Sequence, residues 1–568
     1  MSLRHIVAIV LFLTINSAHS QADSADFVTS WITDRSGLSS NDSLIIINTD
    51  PNYQYDFDID WENDGVFDTL GVTATIEHVY DRIDTFTVRI RGQFPRPFFG
   101  WNPANSSKLH AIEQWGTTYW KNMSIAFAYG ELIIRDSLPP RMDSVRNCSA
   151  MFKGSSVRGD FSSWNMSNVI NMHSMFMNFD QAALNIENWD VSDVTEMSRM
   201  FMHADSFNTP IGNWNVSKVE SMQGMFEQAA LFNQPIGNWN VSSVRDMSQM
   251  FFTTGSFDQN IDNWNVSSVV NMRQMFMWSV FDQDINSWDV SNVQNMRFMF
   301  EASQFNGNIQ DWDVSNVFDF RNMFSRASQF NQDISGWNTE NAQLMSSMFA
   351  NADRFNADIG AWDVSNVVSF FFMFREAETF NQDLSNWDVS AAFSMVSMFS
   401  GASSFNQNLH KWDITNLVNA SNVFDSSAMS LINYDSTLIG WASQNINSNV
   451  ELGAAGLIFC DADSARNSMI NRGWSFIGDS LDCPVGLVEH DPETNFSIWP
   501  NPARGILNIR VATKRQVRLR ILSLDGKTIF EDVIKRPLSQ LDVSGLSKGI
   551  YIIQMGKQTQ KMVIAGRF

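Results

Sequence analysis

The stretch FNQPIGNWNVSSVRDMSQMF, residues 232–251, holds no histidine, no phosphate loop and no converging acids, yet near copies of it recur along most of the chain. Aligned on W-D/N-V-S-x-V-x-x-M-x-x-M-F-x-x-A-x-x-F-N-Q-x-I, the tryptophans are Trp164, Trp189, Trp214, Trp239, Trp264, Trp288, Trp312, Trp337, Trp362, Trp387 and Trp412, each 24 or 25 residues after the last. Pro140 and Trp115 fall in two earlier slots of the same ruler, with Trp120, Met123 and Phe127 at the expected offsets. The array is about thirteen turns long, worn at its start.

Within a turn, Val244, Met247, Met250 and Phe251 recur at i, i+3, i+6 and i+7, the spacing of one helix face, with Ser242 or Ser243 placed to cap it. The preceding segment sets Phe232, Ile236 and Trp239 among Asn, Gly and Pro, which reads as a short strand bounded by turns. The pattern predicts an α+β repeat solenoid, leucine-rich-repeat-like with a 24–25 residue period. A single turn buries too few side chains to offset the entropy of ordering it, so the recurring residues are scaffold and function must sit in the positions that vary. Cys148 stands where other turns carry methionine, which makes it a buried apolar residue. Asn165 and Asn215 alternate with Asp289 and Asp313 in the slot after tryptophan, a ladder of side chains that cap turns.

The NWNVSSVRDMSQMF unit resembles the BspA-like leucine-rich-repeat surface proteins of bacteria, over residues 109–435, and implies a surface protein that attaches to matrix or to other cells. The stretch around Trp441, residues 436–484, resembles the unit that closes such arrays. Residues 26–104, with YDFDIDWENDGVFDT followed by period-2 alternation, resemble a polycystic-kidney-disease-type β-sandwich. Asp60, Glu62, Asp64, Gly65 and Asp68 fall at positions 1, 3, 5, 6 and 9 of a calcium-loop pattern, but position 12 is Gly71 instead of Glu, so either an acidic turn or a calcium site fits.

The first 20 residues place Arg4 and His5 before an apolar run and end in Ala18-His19-Ser20, a signal peptide for export. After it no stretch approaches the ~20 apolar residues of a membrane helix, so the chain is not expected to span a membrane. The formal charge of −23 argues against nucleic acid as a partner. Residues 495–568 are instead basic, with 13 Lys/Arg and 4 Asp/Glu, and follow a linker at 485–494. The elements PNP, DGK and GLSKGIY in that order resemble the type A C-terminal sorting domain of type IX secretion, which implies the second of two small all-β sandwich domains flanking the solenoid, the secretion machinery as a partner and an address at the cell surface or outside it. Cys460 and Cys483 lie close enough in an exported chain to be paired.

The mature histidines, His78, His110, His173, His203, His410 and His490, are scattered without metal-ligand spacing, and no nucleophile elbow or phosphate loop occurs. The expectation is a non-enzymatic adhesion protein for an extracellular protein or glycan, needing no cofactor unless calcium binds. A glycan-degrading surface enzyme and a structural spacer are the rival readings. Arg273, Arg297 and Arg321 occupy one slot in three successive turns, for pairing with acids such as Asp319 or for an anionic ligand. Phe298, Phe318, Phe371, Phe372 and Phe393 stand in slots that most turns fill with polar residues, for a partner or for packing between turns.

Overall fold

The computed structural model describes residues 25–34, 43–179, 181, 184–483, 496–503, 505–511, 517–524, 526–534, 538–556 and 558–564. They divide into two compact units, residues 1–481 and 482–568.

The first unit begins with β1 (Phe27–Ile32), β2 (Leu44–Ile47), β3 (Asp56–Asp60), β4 (Thr69–Val72), β5 (Ile76–Val79), β6 (Thr85–Gln93), the short α1 (Pro103–Ser106), β7 (Leu109–Gln114), β8 (Glu131–Ile134) and β9 (Ser156–Arg158). Seven of these strands share one sheet in the order β4-β3-β6-β1-β7-β8-β9, and β2 pairs with β5 apart from it. β1, β3, β4, β6 and β7 pair antiparallel, whereas β7, β8 and β9 run parallel at repeat spacing. The N-terminal strands therefore do not close into a separate sandwich; their sheet continues into the first repeats. Phe27 packs edge-on against Trp120 at 5.0 Å, and Trp115 against Trp164 at 5.6 Å, so the aromatic core is continuous as well. Arg96 ties the junction: buried, it pairs with Asp50 and donates to the Ser124 carbonyl at 3.0 Å. Burial brings its guanidinium down to about 10.

The α+β repeat solenoid of leucine-rich-repeat type is overturned. The described residues form mostly β structure in several small sheets, with three α-helices in all and none between β9 and residue 430. The reason lies in the backbone of the Met-Phe segment. Met250 N donates to Met247 O at 3.2 Å and Phe252 N to Gln249 O at 3.1 Å, each closing an i→i+3 turn. Gln249 within these turns and Thr253 directly after them adopt left-handed φ of 60° and 56°, which no helix tolerates. The intervening donors leave the repeat: Met247 N reaches Asn271 O at 3.1 Å, Gln249 N Arg273 O at 2.9 Å and Phe251 N Met275 O at 2.9 Å. A chain of single parallel bridges, Asp246 to Asn271 to Asn295 to Asp319, registers one repeat on the next.

Apolar side chains fill the inside of each rung. Trp264, Trp288, Trp312, Trp337 and Trp362 stack with ring centroids 6.1–6.3 Å apart. Each indole N–H is satisfied by the preceding repeat; Trp312 Nε1 donates to Ile285 O at 2.9 Å. The FNQ triplet supplies an outer ladder: Asn331 N donates to Asn306 Oδ1, and Asn356 N to Asn331 Oδ1, at 2.9 and 2.8 Å. The Asp and Asn after tryptophan act locally instead, Asp313 Oδ1 accepting from Ser315 N at 3.0 Å.

At the far end α2 (Leu431–Ala442) replaces the strand-like leg, because Tyr434, Leu438 and Trp441 give it a buried helical stripe and Ser430 caps it. Trp441 Nε1 still donates to Leu409 O at 3.0 Å. Then β10 (Glu451–Gly453), β11 (Ile458–Phe459), α3 (Asp463–Asn471), β12 (Ser475–Ile477) and β13 (Ser480–Leu481) follow, with β10–β12 and β11–β13 parallel.

The second unit holds β14 (Phe496–Trp499), β15 (Ile506–Val511), β16 (Val517–Leu522), β17 (Thr528–Ile534), β18 (Leu538–Asp542), β19 (Gly549–Met555) and β20 (Gln558–Ile564). Sheets β14-β15-β18 and β17-β16-β19-β20 share a core that includes Leu507, Ile509, Ile521, Ile553 and Met562.

Trp312→Phe keeps most of the stacked area but removes the indole donor. It is expected to lower unfolding stability by about 1–2 kcal/mol in denaturant titration, while the exposed Gln310→Ala on the same rung leaves the midpoint unchanged.

Candidate functional site

The three stacked arginines have different environments. Arg321 grips the buried Asp319 in a two-pronged pair, Nε to Oδ1 at 2.9 Å and Nη2 to Oδ2 at 2.6 Å, and this holds its pKa above the usual guanidinium range. Arg297 lies with its guanidinium carbon 4.5 Å from the ring centre of Phe298, and its Nε has no hydrogen-bond partner. Burial, with the like charges of Arg321 and Arg273, holds Arg297 below the usual range. Arg273 is exposed at the end of the row.

The phenylalanines divide similarly. Phe298 and Phe372 are half-buried at left-handed φ of 60° and 58°, where other repeats place Gln249, Asn322 or Ser347. Phe371 stacks on Phe372 at 3.9 Å, and Arg375 covers the Phe372 ring at 4.9 Å. Phe318, Phe371 and Phe393 are exposed. Phe393 N bonds Val368 O at 3.0 Å and Val418 N bonds Phe393 O at 2.9 Å, so three exposed apolar side chains stand on adjacent rungs of one slot. The sequence reading passed over Val368 and Val418, whose signal was their shared slot with Phe393. Of the scattered histidines, His173 has its Nδ1 2.6 Å from Oγ of the buried Ser198.

The acidic turn after β3 brings Asp60, Glu62 and Asp68 together, with one oxygen of each within 4.8 Å of the others. Asp60 accepts from Gly65 N at 2.9 Å and Asp68 from Trp61 N at 2.9 Å, closing the turn. Asp64 stands outside this group and accepts from Val66 N at 2.8 Å, while Gly71 N donates to Asp58 at 3.0 Å. The three oxygens are those a divalent cation would take there, and the twelfth loop position adds none. Cys460 and Cys483 are disulfide-bonded, and Cys148 is free and buried, which pushes its thiol up. The expected signal peptide at 1–20 and the linker at 485–494 lie outside the described residues.

Burial first, then the charges of Asp68, Asp60 and Asp64, push the Glu62 carboxyl above its usual range. The folded chain thus holds this proton more tightly than the unfolded chain, so the group's contribution is best below the ordinary carboxyl range and is lost as pH rises through the raised value. Glu62→Gln is expected to raise stability at pH 7 by less than about 1 kcal/mol, since the side chain is half exposed, and to match wild type near pH 4; thermal unfolding at the two pH values reads this.

No helix among the described residues is long and apolar enough to cross a membrane. A family model described as Mycoplasma protein of unknown function, DUF285, matches residues 99–182, 171–280, 277–370 and 333–438, more than half of the chain. A second, described as a secretion system C-terminal sorting domain, matches residues 497–565. Comparison with curated proteins and with solved structures gives no match. The repeats thus place the chain in the DUF285 family, and its sorting domain sends it through type IX secretion to the cell surface or the extracellular space.

Proposed function

We propose that this is a non-enzymatic binding protein that attaches to an extracellular protein or glycan through the side chains that vary from repeat to repeat. The observation that supports it is the apolar row Val368, Phe393 and Val418, 39%, 49% and 53% exposed on consecutive rungs, with Phe371 beside it. Apolar side chains in contact with water on adjacent rungs form one patch, and burying it against a partner is favourable by ~25 cal/mol per Å² of apolar surface removed. The arginines precede this row along the repeats. Their cationic end at Arg273, in an acidic chain, suits carboxylates at the rim of such a contact.

The sorting domain and the DUF285 repeats agree with display outside the cell, where matrix proteins, glycans and other cells are the available ligands.

Binding of the full exported chain to matrix proteins, acidic and neutral glycans and bacterial cells, with calcium and with chelator, tests this reading. A specific ligand is expected, with affinity reduced about tenfold or more in Phe393→Ser and with weaker salt dependence in Arg273→Ala. Turnover of a polysaccharide by the wild type would instead make it an enzyme, and no ligand in the panel would leave it a spacer.

A further inference from the structure

β1 begins at Phe27, opposite Ile90, but β6 runs on to Gln93 and there pairs only with β3. The chain before Phe27 is drawn to the other side: Thr117 N donates to Ala25 O at 3.0 Å and Gln114 Nε2 to Asp26 O at 2.8 Å. A cleft of about 520 Å³ is left between the end of β6 and residues 117–121. It is a groove open to solvent, with a volume within the ~300–1,000 Å³ range of small-molecule sites. Gly92 keeps the β3 side close: it sits at φ 107°, and a Cβ there would lie 2.7 Å from Asp56 O.

The wall of this cleft combines an aromatic ring, cations and neutral polar groups with one carboxylate, Asp26, which is buried and faces Arg89 at 3.9 Å. Tyr119 is 63% exposed, and Arg141 holds its ring with the guanidinium carbon 4.9 Å from the centre. With Arg141 over one face, only the opposite face of this exposed ring is left for the polarised C–H groups of a sugar. Arg91 is already committed, stacked on Phe67 at 3.8 Å and paired with Asp58 at 2.7 Å. Lys121 is exposed and has no ion-pair partner among the described residues, in a chain of net charge −23. Gln93 spends its amide N–H on Gln54 O at 2.9 Å and keeps its carbonyl oxygen for another donor. Thr118 adds a hydroxyl.

An extended peptide would bind by pairing with free backbone, which the end of β6 offers on one wall only, because the wall across from it is taken up. Pro95 has no N–H, its carbonyl accepts from Lys121 N at 2.8 Å, and the Thr117 N–H is taken by Ala25. Recognition falls to side chains.

We propose that this cleft binds an acidic saccharide, one sugar ring lying on Tyr119, its carboxylate at Lys121 and its hydroxyls at Gln93 and Thr118. This site is separate from the Phe393 row and does not depend on it.

The test is calorimetric titration of the full exported chain with galacturonate, glucuronate and guluronate oligomers, their neutral counterparts, and a poly-glutamate peptide. At least one uronate is expected to bind, with affinity reduced about tenfold in Tyr119→Ala. Lys121→Gln is expected to abolish the preference for the acidic over the neutral sugar and to flatten the salt dependence. Phe393→Ser leaves this binding unchanged, which separates failure of this site from failure of the repeat face. Binding to no uronate, unaltered binding in Tyr119→Ala, or tighter binding of the peptide than of every sugar would each overturn the assignment.

Discussion

In the Met-Phe segment every second backbone N–H must leave its own repeat. Met247, Gln249, Phe251 and Thr253 donate to residues 24 positions on, while Met250 and Phe252 close turns within the repeat. Neither set suffices alone: the turns shape a rung and the crossing bonds hold it to the next. This alternation also fixes where the period can vary. The two short spacings, Trp264 to Trp288 and Trp288 to Trp312, lose their residue between the paired phenylalanines, Phe276 to Phe281 and Phe300 to Phe305, where other repeats have one more. The crossing bonds of that stretch persist in the short repeats, Trp278 N reaching Glu301 O at 2.9 Å and Ala302 N reaching Ser325 O at 2.8 Å, so the deletion falls on the loop residues after them and leaves the ladder intact.

The aromatic columns follow from the same register. A side chain at a given slot meets its equivalents above and below, and a flat ring in that slot stacks on its neighbours: Phe300 on Phe324 at 5.6 Å, Phe305 on Phe330 at 6.3 Å. The polar slots obey the same rule, Asn306 bonding the backbone of Asn331 as Asn331 bonds that of Asn356. Apolar columns within and amide ladders without are two expressions of one spacing.

What was legible in the sequence was therefore the slot, and what was not was the backbone between slots. Trp288, Val293, Met296 and Phe300 could be assigned to the scaffold by recurrence, and all are buried. The helix expectation failed because apolar residues at i, i+3, i+6 and i+7 also suit consecutive three-residue turns. Asn322, Asn351 and Gly224 announce the left-handed φ in their repeats, but Gln249, Thr253, Arg199 and Trp278, which break the helix in theirs, do not. The Asn306 ladder carried a visible signal, a polar residue kept directly after a buried phenylalanine, and went unread. In the candidate face the arginine row could be read from position alone. Its division could not, because Arg321 has Asp319 two residues earlier as a partner and Arg297 has a phenylalanine beside it in place of an acid.

Rows of one residue type behave differently according to their chemistry. Stacked rungs of β type lie ~4.8 Å apart, close enough for like charges to repel strongly in a partly buried setting. The arginine row is bounded by Ser248 and Ser346, and its members relieve one another's charge through Asp319, the Phe298 ring and exposure of Arg273 to water. An apolar row carries no such penalty, and each added member enlarges a patch without needing a partner of its own. Val368, Phe393 and Val418 can thus accumulate contact area one repeat at a time, whereas a cationic surface on this scaffold must stay short or be neutralised from outside. A ligand able to use both has to offer carboxylates near residue 273 and apolar surface near residue 393, five repeats further along.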